Sequence, residues 1–561
     1  MTASLGLLVS TGCKESDGND ENDVGDSVGD TGDETADESA DSGESGESGD
    51  TGTNPGAFEF AHVYGVANID DDDLDAKSDW QQLPFEGDNE LTTIDLPSEL
   101  TGSFGEGETI RLTLSGDLDG IRLWHAGEHI LGSGAGDPLT TYTFTPAAGG
   151  DSLQVEFGEF LQYGDLTLER VGSDGEVSAS DTIELVSSPL IMNHHLQIAE
   201  HVWAIQTNDN QAFIEDYQQA LGDDFTGVPG GPYQNDRWLQ DEIEFGYSTG
   251  PDGVRLDEVI DSIRDRGLDN FPEDLFTLPD WYIGTWGNSL DATSFDSFGN
   301  LDASPPVDGY PFGRIYYGLE GNTGLDGVLA AFLGSQTLQE PFPVDTAWLC
   351  VGHVDEFSSF VPDPSSPKGF KMLIASTTAA YDLFDNDIDP GWGLGRYEAA
   401  FGYATAGDLV GDGALRALNE DLQTNELDPL RARFKAELGL SDDDIIDIPT
   451  IFDAPDFCGG YNVALTPGTV NLIVANFEGS GVKLMVPDPY ARPDGMGPAD
   501  DPMAQDFLER MPEGLEVVFV DDWYSYHLLD GEVHCGSNVT RTPNADWTTD
   551  GAQLLGLGGG N

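Results

Sequence analysis

Residues 235–247 read Asn235-Asp-Arg-Trp-Leu-Gln-Asp-Glu-Ile-Glu-Phe-Gly-Tyr247. In an extended segment, alternation puts Gln240, Glu242 and Glu244 on one face and Asp241 on the other. Three neighbouring oxygen side chains repel one another unless a cation lies among them; without one they belong on a solvent-facing edge strand. Around this segment, from about residue 188 to 561, strand patterns (348–356, 470–475) alternate with helix patterns (Gln211–Leu221, and Asp428–Leu438 ending at Gly439). That alternation predicts an α/β domain of catalytic size.

Moving toward the N-terminus, the pattern changes. Between residues 58 and 187 lie short runs of period two separated by Gly-rich turns: 109–114, 120–124, 153–157, 166–171 and 182–186. Such spacing predicts a β-sandwich. Within it, Ala67-Asn-Ile-Asp-Asp-Asp-Asp-Leu-Asp75 sets Asn68, Asp70 and Asp72 at alternate positions, an arrangement that suits a hard cation as well as a solvated acidic turn.

Residues 13–57 are almost wholly Asp, Glu, Gly, Ser and Thr, too polar to bury the area that folding needs. They are expected to form an extended, disordered linker. Ahead of them, residues 1–12 are short and apolar and lead into Cys13, like a lipoprotein-type signal in which Cys13 is the lipidated residue. The expectation is a secreted or envelope-anchored protein, touching a membrane only through that lipid.

The 561 residues hold 105 acids against 21 bases, a net charge of -84. Residues 13–56 account for 15 acids and one lysine, so the remainder still carries -70. A polyanion gains nothing from phosphate contacts, which excludes nucleic acid as a partner and favours cations and Arg-rich proteins. No run reaches the roughly 18–20 apolar residues of a spanning helix. Four cysteines without a C-x-x-C pair make a disulfide framework or a Cys-rich zinc site unexpected.

Three further segments carry reactive side chains. In Trp348-Leu-Cys-Val-Gly-His-Val-Asp-Glu-Phe357, His353 and Asp355 share a face of a strand or extended loop, setting an imidazole beside a negative charge. In Gly531-Glu-Val-His-Cys-Gly-Ser-Asn-Val539, Cys535 is a nucleophile, a metal ligand or a buried small residue. His534, its sequence neighbour, is expected to point away, leaving His353 as the base. In Asp261-Ser-Ile-Arg-Asp-Arg-Gly267, Arg264 and Arg266 make polar contacts to a ligand or structural ion pairs.

Together with Asp296-Ser-Phe-Gly-Asn-Leu-Asp-Ala-Ser-Pro-Pro306, these segments resemble, in order and spacing across roughly residues 189–545, the catalytic domain of the protein-arginine deiminases. The resemblance implies a five-fold pseudosymmetric α/β propeller of the guanidine-modifying (pentein) superfamily, preceded by an immunoglobulin-like middle domain, without the further N-terminal domain of the vertebrate enzymes. It implies calcium-dependent hydrolysis of peptidyl-arginine in protein or peptide substrates to citrulline. Asp241 and Asp355 would grip the guanidinium, Cys535 would attack it through a thiouronium intermediate, and His353 would move protons. Trp238 would pack on the arginine stem, while Arg266 and Arg264 would hold peptide carbonyls.

By the same resemblance, one calcium ion would be held by Gln240, Glu244 and Asp302 with backbone oxygens of Phe298 and Leu301. A second would be held by Glu242, Asp261, Ser262 and Asp265. Further ions would lie at Asn68, Asp70 and Asp72 with Asp280. Asp302 and Asp265 stand where the family pattern has Glu and Asn, and Leu529 and Asp530 stand where vertebrate members carry basic residues. Two other readings are a catalytically silent, calcium-stabilised surface binding protein and a deiminase of free arginine or agmatine.

Overall fold

The computed structural model describes residues 62–82, 89–543 and 545–557; the signal-like start, Cys13 and the acidic spacer lie outside the described residues. Among the described residues, no helix is long and apolar enough to cross a membrane.

Two sheets form the N-terminal part. One runs in the order Val63–Gly65, Val177–Ser187, Tyr163–Val171, Thr109–Gly116, Thr141–Phe144, and the other Thr92–Leu96, Asp151–Phe157, Ile121–His125, Glu128–Gly132. Alternation does the sorting. Ile110, Leu112, Leu114, Leu166, Leu168, Ile183 and Leu185 point from the first sheet into a core shared with Ile121, Leu123, Leu153, Val155 and Phe157 of the second. The segments 109–114, 153–157, 166–171 and 182–186 lie on these strands, and 120–124 does so from Ile121 onward.

The rest of the described chain is mixed α/β, built on five sheets of three or four strands, beside a two-stranded ribbon of Phe452–Asp453 with Val463–Ala464. Each has a strand that is antiparallel to one neighbour and parallel to another. These strands are Arg255–Asp261 (between Ile243–Thr249 and Trp281–Thr285), Ile315–Leu319, Phe370–Ser376, Lys483–Pro487, and Ala199–Gln206. In the last of these sheets Ala199–Gln206 pairs with Ser537–Arg541, so the beginning and end of this region share one sheet.

Helices pack beside the sheets for local reasons. Gln211–Leu221 buries Phe213, Ile214, Tyr217 and Leu221 along one stripe and stops at Gly222, whose φ is 63°. Asp428–Leu438 has Pro429 in its first turn, buries Leu430, Phe434 and Leu438 at spacing four, and ends at Gly439 with φ 61°.

The two parts meet through polar and aromatic contacts. The Asp280 N–H donates to Asp70 Oδ2 (3.0 Å) and Asp72 Oδ1 (3.1 Å). Trp547 donates Nε1 to Thr249 O (2.6 Å) and packs edge-on against Tyr64.

Three sequence expectations are corrected. The segment opening at Leu239 is not extended: Leu239–Glu242 forms one helical turn, and the strand begins at Ile243. Period two therefore fails for Gln240, Asp241 and Glu242. Residues 348–356 are not a strand, because Val354–Glu356 is a 3-10 turn in which Glu356 Oε1 accepts the N–H groups of Gly352 and His353. Finally, Cys350 and Cys458 form a disulfide across 108 residues, a pairing that no sequence spacing announced.

Candidate active site

Each of the five sheets delivers the turn just ahead of one strand to a common point. The turns are Leu239–Glu242, Phe298–Asn300, Val354–Glu356, the segment containing Asn471, and the His534–Cys535 pair ahead of Ser537–Arg541. They touch in sequence around a ring. Gln240 Nε2 donates to Phe298 O (3.1 Å). Gly299 lies so close to the next turn that a Cβ there would stand 2.6 Å from His353 Nδ1 and 3.1 Å from Asp355 Oδ2. Asn471 Nδ2 donates to Asp355 O (3.1 Å), Asn471 Oδ1 accepts the Cys535 N–H (3.3 Å), and the Gln240 N–H donates to Cys535 O (3.3 Å). Only glycine fits at 299 without pushing the His353–Asp355 turn away.

Cys535 is buried and is the one free cysteine among the described residues. Its Sγ lies 3.3 Å from Asp355 Oδ2, which also takes a hydrogen bond from His534 Nδ1 (3.0 Å). The expectation that His534 turns away from Cys535 is thus incomplete, since imidazole and thiol converge on one carboxylate oxygen. Burial, then the charges of Asp355 and Asp241, push the Cys535 thiol well above its usual range. Burial pulls the His534 imidazole down, but the hydrogen bond and charge of Asp355 outweigh it and leave the ring raised. His353, also buried, stands 3.7 Å from Asp241 Oδ1 by Nδ1 and 2.8 Å from Ser294 O by Nε2.

A thiol, two carboxylates and an imidazole therefore surround one buried point. Such a site suits a planar cation: carboxylates accept its N–H fork while sulfur faces its central carbon.

The residues expected to handle the rest of a substrate are near it. Arg266 Nη1 reaches Asp241 Oδ2 (3.3 Å) and its Nε lies 3.5 Å from Asp236 Oδ2. Arg264 Nη1 donates to Ser297 Oγ (2.6 Å). Both arginines thus hold protein groups. Trp238 is half-buried, edge-on to Tyr526, and pressed on Gly531, where a Cβ would meet its ring at 2.3 Å.

The acidic residues divide into three places. Gln240, Glu244 and Asp302 line a small cavity of about 20 Å³ with His195, His534 and Arg541. There Gln240 Nε2 bonds Glu244 Oε2 (2.8 Å), while Asp302 Oδ2 receives Tyr316 (2.8 Å) and faces His195 Nε2 (3.2 Å). The Leu301 side chain belongs to the apolar core, so only its backbone is free to serve a cation.

At the second place, both carboxylate oxygens of Glu242 and Asp261 Oδ1 are buried without a hydrogen-bond partner. Burial raises Glu242 to about 9 and Asp261 to about 7. The Ser262 hydroxyl is instead spent on Asp296 O (2.7 Å), and Asp265 is exposed, so these two side chains depart from the expected ligand set. At the third place, carboxylate oxygens of Asp70, Asp72 and Asp280 lie within 4.8 Å of one another, with Asp71, Asp73 and Asp79 forming a similar group alongside. Asn68 Oδ1 and Asp70 Oδ1 lack partners, and burial with the charges of Asp70 and Asp72 raises Glu90 to about 9.

Unpartnered buried oxygens at Glu242 and Asp261, and at Asn68 and Asp70 beside the clustered carboxylates of Asp72 and Asp280, fit a hard dication, which would replace the protons the raised carboxyls otherwise hold. The fit is fuller at Glu242–Asp261 and at Asp70–Asp280 than in the Gln240 cavity, whose oxygens already meet protein donors.

Sequence reading missed Asn471, His195, Glu90 and Asp236. Asn471 falls inside an apolar run, Thr469-Val-Asn-Leu-Ile-Val474, where nothing marks it. His195 sits in a loop far from any motif, and only the fold brings it to Asp302.

A buried cysteine and carboxylates thus meet where the turns of five small sheets converge. A family model described as protein-arginine deiminase (PAD) matches residues 177–549, and the chain belongs to that family. It is 37% identical over 391 residues to human protein-arginine deiminase type-1 and 35% identical over 382 residues to the rat type-4 protein. Each alignment covers 65% of this chain and 56% of the relative, so the match spans just over half the length of those proteins. Among solved structures, an agmatine deiminase from C. jejuni aligns with 64% of this chain and 98% of its own at TM-score 0.38 and 10% identity.

Proposed function

We propose that the chain is a calcium-dependent deiminase that hydrolyses peptidyl-arginine to peptidyl-citrulline and ammonia. The observation that carries this reading is Cys535 Sγ at 3.3 Å from Asp355 Oδ2, with Asp241 and His353 closing the same point. Asp241 and Asp355 accept the N–H groups of the guanidinium, fixing its plane. That cation, once seated beside the sulfur, offsets the carboxylate charge that disfavours a thiolate.

The Cys535 thiol then passes its proton to His353, and the resulting thiolate attacks the central carbon, giving a neutral tetrahedral adduct. Imidazolium His353 protonates one amino group, the C–N bond breaks, and ammonia leaves a thiouronium on sulfur. Water adds to that carbon while neutral His353 takes a proton. Breaking the C–S bond releases the ureido product and restores the thiolate, and the proton of the added hydroxyl leaves with ammonia as ammonium.

Calcium bound at the Glu242–Asp261 and Asp70–Asp280 groups would supply charge neutralisation there. Glu242 adjoins Asp241 on one helical turn, so ordering that turn orders the guanidinium-binding carboxylate. The Gln240, Glu244, Asp302 set, with Phe298 and Leu301 backbone oxygens, belongs to the same proposal. So do a propeller arrangement of the five sheets, an immunoglobulin-like identity for the sandwich, and residence outside the cell or on its envelope. The Cys350–Cys458 disulfide supports the last point, because such bonds persist in oxidising compartments.

The test is citrulline formation on a blocked arginine amide, free arginine and agmatine, each with calcium and with a chelator. Turnover of the blocked amide only with calcium is expected. Turnover of free arginine or agmatine alone overturns the peptide assignment, and equal turnover in chelator overturns the calcium dependence.

A further inference from the structure

We propose that Asn471 is a catalytic residue of this site: its side-chain amide is the hydrogen-bond donor that holds the Cys535 sulfur in position and stabilises negative charge on it. The inference rests on the deiminase reading for its consequence in turnover, though not for its geometry.

Asn471 is 2% exposed and sits at the centre of the ring of turns. Its Nδ2 lies 3.2 Å from Cys535 Sγ and 3.1 Å from Asp355 O. Its Oδ1 accepts the backbone N–H groups of His534 (2.8 Å) and Cys535 (3.3 Å). The network fixes which end is which. Turning the amide over would set NH2 against two N–H donors and the oxygen against a carbonyl, losing all of these bonds. The N–H therefore has to face the sulfur.

The residue is itself clamped. The Asn471 N–H donates to Gly468 O (2.9 Å), and the Gly468 N–H donates to Glu532 Oε1 (3.0 Å), which also takes His527 Nδ1 (2.8 Å). Glu532 lies three residues before the nucleophile, so both halves of the contact hang from one buried carboxyl. With Asp355 Oδ2 on one side and Asp241 nearby, the sulfur meets two negative charges that oppose its ionisation. The Asn471 amide supplies the opposite polarity, and bonds to Asp355 O and to the His534 and Cys535 N–H groups hold it in place. An N–H aimed where charge develops, in a site that excludes water, is an effective electrostatic contribution to catalysis.

Asn471→Asp tests this: when ionised it keeps the size and the two accepted backbone bonds but exchanges the donor for a negative charge, so it is read together with the uncharged Asn471→Ala. The rate of carbamidomethylation of Cys535 by iodoacetamide at fixed pH, followed by peptide mapping to separate it from Cys13, is expected to fall at least tenfold. On a blocked arginine amide kcat is expected to fall ~10²-fold with KM within threefold of the parent. Asn471→Ala, which adds no charge, is expected to follow the same pattern and carries the test if the Asp variant fails to fold by circular dichroism. If both folded variants alkylate and turn over within twofold of the parent, the inference is overturned, even with a lowered Tm. A parent enzyme that makes no citrulline, yet whose alkylation depends on Asn471, overturns the deiminase reading and supports this role.

Discussion

Asp355 Oδ2 stands 3.3 Å from Cys535 Sγ and 3.0 Å from His534 Nδ1, so a single carboxylate oxygen joins the nucleophile to its sequence neighbour. The thiol is neutral in this surrounding, because burial and two carboxylates disfavour its charge. Replacing it therefore removes chemistry without stranding a buried charge. Cys535→Ser is expected to lose at least ~10³-fold in kcat while unfolding within a few degrees of the parent. Citrulline assay and thermal melting of the same preparation check it, and retained turnover removes Cys535 from the mechanism.

Calcium and pH should act on one another. Burial raises Glu242 and Glu90 to about 9 and Glu244 and Asp261 to about 7. Each group binds its proton more tightly folded than unfolded. The stability linked to it is complete below about pH 4 and is lost as pH rises through the folded values. In chelator, Tm is expected to fall between pH 6 and 9. With millimolar calcium the fall should vanish, because the bound ion replaces the protons and stabilises by mass action. Melts over pH with and without calcium measure this; parallel curves would argue that these carboxyls hold no ion.

Glu242 allows a sharper version. Neither of its carboxylate oxygens has a hydrogen-bond partner, and burial raises the group to about 9, so its ionised form is disfavoured and folding holds a proton there. Glu242→Gln is expected to raise Tm in chelator at pH 8 and to shrink the rise that calcium produces. An unchanged calcium response would remove Glu242 from the ligand set.

The sandwich strands were legible because half-buried strands alternate, and residues 109–114 or 182–186 say so without help. The helices at Gln211–Leu221 and Asp428–Leu438 were legible through their apolar stripes and terminal glycines. The turns that carry the chemistry were not. Leu239–Glu242 and Val354–Glu356 are single helical turns ahead of strands, too short to show a period, and they read as extensions of the strands that follow. Asp241, His353, Asp355 and Cys535 stood out as reactive residues in dense segments. Asn471 did not, since one amide in an apolar run gains meaning only when five turns meet. The Cys350–Cys458 pair, 108 residues apart, is likewise fixed by tertiary structure alone.

That disulfide ends three residues before His353, on the catalytic turn, and both cysteines are buried. Around it the Cys350 N–H donates to Asn462 O, and Asn462 Nδ2 donates to Trp348 O. Closing so long a loop is worth about 3–5 kcal/mol through the unfolded chain. The double variant Cys350→Ser/Cys458→Ser is expected to lose that much in denaturant unfolding. Cys535 alkylation should stay within threefold, because the hydrogen bonds to Asn462 still hold the turn. An unaltered midpoint would show the bond to be thermodynamically idle.

Arg266 and a substrate guanidinium compete for the same carboxylate. In the free chain Arg266 Nη1 lies 3.3 Å from Asp241 Oδ2, and its Nε and Nη2 are buried without hydrogen-bond acceptors. When a guanidinium takes Asp241, the released Nη1 joins the unpartnered Nη2 as a donor for a peptide carbonyl, which compensates Arg266 for the lost partner. A free amino acid offers no carbonyl flanked by further chain, so it gains less from the exchange. Arg266→Ala is therefore expected to raise KM for a blocked arginine amide ~10-fold, about the worth of one charge-assisted hydrogen bond, with kcat within threefold. The preference for that amide over free arginine should narrow by the same factor. Equal losses on both substrates would show that Arg266 only steadies Asp241 and does not read the peptide.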